Sequence, residues 1–168
     1  MFDPYRAVRR TGALAIGLLC LAHVPPGAAK SEHEHEHVGA AAGMQLDASH
    51  KWATDASLRS GMADIRAAFD ANHPAIHEGK ESDAQYDALA SRIEAHVNLI
   101  VATCRLPPAA DANLHYVIAD LLQGVNLMWG QDPTRARLDG ASLVHGALIA
   151  YGKYFDDPDW SSNSSADN

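Results

Sequence analysis

The chain has 168 residues, the length of one domain, and carries 13 Lys and Arg against 21 Asp and Glu for a formal charge of −8. That acidity leaves no basic footprint for nucleic acid or for an anionic membrane surface, and it is compatible with solubility and with cation binding.

The first segment, "MFDPYRAVRRTGALAIGLLCLAHVPPGAAK", places Arg6, Arg9 and Arg10 before an apolar run from Ala13 to Val24, with prolines and small residues after it. This order predicts a secretory signal peptide over residues 1–29, cut after Ala29. Leu19 is too large for the position before a lipidated Cys20, which disfavours a lipoprotein. The apolar run is short for a bilayer span, and no later stretch of ~20 apolar residues exists, so no membrane insertion is expected after cleavage. Cleavage removes three arginines and one aspartate, taking the charge from −8 to −10. Only Cys104 is left in the exported chain. A single thiol in an oxidising compartment, here the periplasm, must be buried, metal-bound or paired between chains.

Residues 30–49 are rich in Gly, Ala, His and Glu without apolar periodicity and read as a flexible leader. A helical domain is expected over 50–160. Its first helix has a cap at Thr54 or Asp55 and an apolar stripe of Leu58, Met62, Ile65 and Phe69; Pro74 is expected to end or kink it and Gly79 to close any final turn. The second follows a Ser82 or Asp83 cap with Tyr86, Leu89, Ile93, Val97, Ile100 and Cys104 on one face, until Pro107 and Pro108 stop it. The third runs from about Ala109 to Trp129 on Leu114, Ile118, Leu121, Leu122 and Val125. After the turn-rich "GQDPTRARLDG", a fourth covers about Gly140 to Phe155 on Leu143, Val144, Ala147, Tyr151 and Tyr154. Residues 161–168 form a polar tail. With no convincing strand, the fold class is all-α, an antiparallel four-helix bundle.

The strongest chemical signal is "SEHEHEH". Copper and zinc favour imidazole, and interleaved carboxylates lower the electrostatic cost of holding a dication. In an extended chain His33, His35 and His37 project on one side about 6.6 Å apart, so one ion requires the chain to curl, and the ordering cost keeps affinity modest. If trimming also removed Lys30, His33 would stand third from a free amine, a square-planar set suited to Cu²⁺.

Inside the bundle, antiparallel topology draws Cys104, His115, His96 and Met62 toward one end. His96 and His115 lie at similar depth from the Leu106 to Pro107 turn, whereas Cys104 lies about six residues, or ~9 Å, nearer to it than His115. A tight Cys/His site therefore needs favourable side-chain reach. The competing reading makes Cys104 and Met62 core packing and both histidines edge residues, with Asp111 orienting His115 or favouring the helix N-terminus. His145 is expected to be exposed, and His73 and His77 stand apart around Pro74. No phosphate loop, nucleophile elbow, HExxH or di-iron motif points to an enzyme, and no CxxCH attaches haem.

The stretches "KWATDASLRSGMADIR", "CRLPPAADANLHYVIADLL" and "GALIAYGKYFDDPDW" resemble a family of small, largely uncharacterised exported proteins of Gram-negative bacteria, sometimes associated with heavy-metal handling. The resemblance covers about Lys51 to Trp160 and is most specific from Cys104 to His115. It implies a periplasmic helical domain with metal handling as its context. The leading expectation is thus a non-catalytic copper- or zinc-binding bundle. Its alternatives are a module that docks a periplasmic protein partner without metal, and a noncovalent b-type haem protein using Met62 with His96 or His115.

Overall fold

The computed structural model describes residues 39–160. The expected signal peptide, the tail and the histidines His33, His35 and His37 lie outside the described residues. Four helices dominate: α1 (Ala56–His77), α2 (Asp83–Thr103), α3 (Pro108–Met128) and α4 (Arg137–Tyr154).

Each boundary has a local cause. The Asp55 carboxylate accepts the Leu58 N–H at 2.7 Å and starts α1. Ser82 and Gln85 form a reciprocal capping box that starts α2. Pro108 occupies the first position of α3, where its missing N–H costs no intrahelical bond. Gly79 (φ +65°) and Gly130 (φ +70°) close α1 and α3 in the left-handed region. At each end the following residue donates six-to-one, Lys80 to the Ala75 carbonyl and Gln131 to the Asn126 carbonyl.

Pro74 does not end α1. The helix continues for another turn, with Ile76 buried and the glycine-centred terminus satisfying the carbonyls beyond the proline. α4 begins at Arg137, three residues before the expected Gly140. Arg135 holds Asp139 at 2.8 Å across the first turn, and the Arg137 guanidinium reaches Asp83 (3.3 Å), Asp87 (2.6 Å) and the Met128 carbonyl. Gly140 thereby falls inside the helix. There its lack of a side chain lets α3 approach, since a methyl group at Gly140 would stand 2.5 Å from the Gly124 carbonyl oxygen.

The core is built from the predicted stripes. Leu58, Met62, Ile65, Leu89, Ile93, Val97, Ile100, Leu121 and Tyr151 are all essentially without exposed surface. Leu122 and Tyr154 are only half-buried against it. The expected absence of strand needs a small correction: β1 (Trp52–Ala53) pairs in parallel with β2 (Phe155–Asp156). Thr54 Oγ1 adds a 2.7 Å bond to the Asp156 carbonyl, tying the entry of α1 to the exit of α4. Among the described residues no helix is long and apolar enough to cross a membrane.

The packed part of the chain begins before His50, the expected start of the domain. Residues Ala40–Gly43 form a 3-10 turn lying on α3, and Met44 behind it is buried. Asp120, 2 % exposed, accepts the N–H groups of Ala40 (2.6 Å) and Ala41 (3.0 Å). A buried carboxylate would be costly alone; two backbone donors at the start of a helical turn satisfy it.

Candidate functional site

At the Cys104 end, Asp55 does more than cap α1. Its second carboxylate oxygen accepts the Arg105 backbone N–H, joining the start of α1 to the segment after α2. Cys104 is the residue at which α2 ends, in extended conformation and half-buried at the edge of the core. Burial pushes its thiol above the ordinary cysteine range, and the charges of Asp55 and Asp111 push the same way, partly offset by Arg105. A thiol raised in this way keeps the nucleophilic thiolate form scarce at neutral pH.

The other expected members of that site face different ways. Met62 has no exposed surface and belongs to the core. His96 Nδ1 lies 3.6 Å from an Asp64 carboxylate oxygen on α1. His115, with 74 % of its side chain exposed, sets Nδ1 2.8 Å from the Asp111 backbone carbonyl oxygen and 3.7 Å from its carboxylate. His96 and His115 each turn to a neighbouring acidic residue instead of to one another. Among the described residues no group of three or more His, Cys, Asp or Glu side chains is placed to hold a metal ion. Of the four residues expected to converge at the Cys104 end, Met62 is enclosed in the core, Cys104 lies at its edge, and His96 and His115 set Nδ1 toward different acidic residues, Asp64 and Asp111.

A different set of histidines does come together. His73 and His77, one turn apart on α1, have ring centroids 6.1 Å apart. His145 of α4 lies 5.7 Å from His73 and stacks on Phe69 at 5.5 Å, with ring planes 13° apart. His73 is the ring common to both histidine contacts. His77 and His145 are exposed, and His73 is half-buried. The sequence signal for the first pair is the i, i+4 spacing in "HPAIH". Nothing local announces the third, because 72 positions separate His73 from His145 and only the packing of α1 on α4 joins them.

One concave region lies between α1 and the C-terminal segment, lined by Arg59, Ser60, Asp157 and Trp160 among others. Arg59 and Asp157 are already engaged. Arg59 donates to the backbone and hydroxyl oxygens of Thr54, and Asp157 accepts the Tyr151 hydroxyl at 3.0 Å. Burial and the nearby Asp157 charge raise the Tyr151 phenol far above its ordinary value, so it remains a donor. Arg66 and Tyr151 both pack on the Trp160 ring, closing the segment down. Comparison with family models, with curated proteins and with solved structures finds no match to the chain.

Proposed function

We propose that this is an exported, periplasmic, non-catalytic metal-binding protein, an antiparallel four-helix bundle whose histidine-rich leader captures copper or zinc. The observation that carries the reading is the alternation of Glu32, Glu34 and Glu36 with His33, His35 and His37. Three imidazoles with interleaved carboxylates in so short a run form a donor set for a borderline dication. The remaining features fit a carrier. Gly39, two residues after His37, enters the domain at the Asp120 clasp on α3, which gives the run a defined attachment point. The reading includes kinship with small exported helical proteins of Gram-negative bacteria, on the strength of the Cys104 to His115 segment.

Antiparallel packing is supported by contacts that run in opposite directions along neighbouring helices. Gly61 and Asp64 of α1 meet Ile100 and His96 of α2, in that order. Gly124 of α3 sits against both Gly140 and Val144 of α4, and Gly140 in turn against Met128. Arg137 draws the starts of α2 and α4 and the end of α3 together.

The test is calorimetric titration of the chain from Lys30 onward with Cu²⁺ and Zn²⁺. Uptake is expected, weakened by about tenfold or more when His33, His35 and His37 are replaced by alanine. Absence of uptake for Cu²⁺, Zn²⁺ and Ni²⁺ alike would end the proposal.

A further inference from the structure

From the packing of α1 against α4 we infer a second metal locus, separate from the leader: a surface site for a borderline divalent cation formed by His73, His77 and His145. It rests on the metal-binding reading for its cellular sense, but its geometry is independent of the leader. Two histidines at i, i+4 present both rings to one side of a helix, the spacing by which helical histidine pairs grip zinc. The third ring arrives from α4, so the site spans two helices and is made only in the folded chain.

The distances are close to those that coordination requires. With a metal–nitrogen bond of about 2.0–2.1 Å, each ring centroid lies roughly 3.2 Å from the ion, and two rings at a tetrahedral angle have centroids about 5.2 Å apart. The observed separations are 5.7 Å and 6.1 Å, each within about an ångström of that value. As they stand the rings do not close on an ion. Closing on an ion requires side-chain rotation, and His77 and His145 are exposed. Phe69, buried and stacked on His145, holds the α4 ring beside His73.

Stacking accounts for the Phe69–His145 contact, and Phe69 also touches His73 at 5.7 Å. The His73 ring is tilted 46° to His145 and 56° to His77, neighbours brought to it by the packing of α1 on α4 and by the i, i+4 spacing. The donor set is all imidazole, which selects zinc, copper or nickel over magnesium or calcium. An open surface site of two or three nitrogens keeps positions for water or for a second donor, so it suits reversible holding of an ion.

The experiment uses the full exported chain with His33, His35 and His37 replaced by alanine, titrated with Zn²⁺ while histidine ring resonances are followed by NMR. The resonances of His73, His77 and His145 are expected to move together. His77→Ala, and separately His145→Phe, which keeps an aromatic ring to stack on Phe69, should each weaken binding by at least the roughly 10- to 100-fold lost on removing an outer-shell partner. Circular dichroism of each variant checks that the helices persist. Zn²⁺ that leaves the three resonances unmoved, or a His77→Ala chain that binds as tightly as its parent, would overturn the site. If the intact chain binds no more Zn²⁺ than the chain lacking the leader histidines, the leader proposal fails while this one stands.

Discussion

Two ends of the molecule hold histidines, and they differ in what surrounds each ring. Near Cys104, His96 and His115 each lie beside a local carboxylate or carbonyl, while burial and the charges of Asp55 and Asp111 push the thiol above its ordinary range. On the α1 and α4 surface, His73, His77 and His145 have one another and Phe69. The first end carries more of the residue types associated with metals. The second has the better arrangement of them. Residue type names a possible ligand, but an ion needs several such side chains facing one another; a ring whose Nδ1–H is held by an oxygen keeps its Nε2 lone pair.

The comparison breaks most visibly at Met62. If Met62 is packing, Met62→Ala should cost about 2–5 kcal/mol in denaturant unfolding and leave the number of ions bound per folded chain unchanged. A smaller and different effect is expected at the leader's attachment. Asp120→Ala leaves the Ala40 and Ala41 N–H groups without their acceptor, so a loss of about 1–3 kcal/mol is expected, with faster hydrogen exchange at both amides.

The smallest effect lies in the loop between α1 and α2. Both Glu81 carboxylate oxygens are covered and lack a hydrogen-bond partner, and desolvation raises the pKa of this group. A carboxyl raised on folding binds protons more tightly in the native state, so its contribution to stability declines as pH rises from the unfolded value through the folded one. Glu81→Gln should therefore stabilise the chain modestly at neutral pH and flatten that part of the stability profile. Thermal unfolding at pH 4 and pH 7 reads both, and a variant less stable than the parent at pH 7 would show that Glu81 has a stabilising partner.

The four helices were legible because their signals are local: Asp55 and Ser82 as caps, Pro108 at a first position, Gly79 and Gly130 at the ends, apolar stripes between. The start of α4 was harder to read. Ala136 has no side chain to cap with, and the Arg137 contacts that fix the first turn are made to α2 and α3. The docking of residues 39–44 escaped for a related reason. Asp120 looks like any polar position on α3 until the turn's N–H groups reach it across 80 positions of sequence. The candidate site divides the same way, since the His73 and His77 spacing is visible in the sequence while the directions taken by His96 and His115, and the arrival of His145, depend on rotamers and packing.

The central proposal is that imidazoles of the leader and of the α1 and α4 surface hold the ion in place of the Cys104 end. Equilibrium dialysis of the chain from Lys30 onward against Zn²⁺ tests it directly with two variants, Cys104→Ser with His115→Ala, and His77→Ala with His33, His35 and His37 replaced by alanine. The account predicts that the first variant retains the full complement of bound zinc and that the second loses nearly all of it. Loss of zinc from the first, with retention by the second, would contradict it.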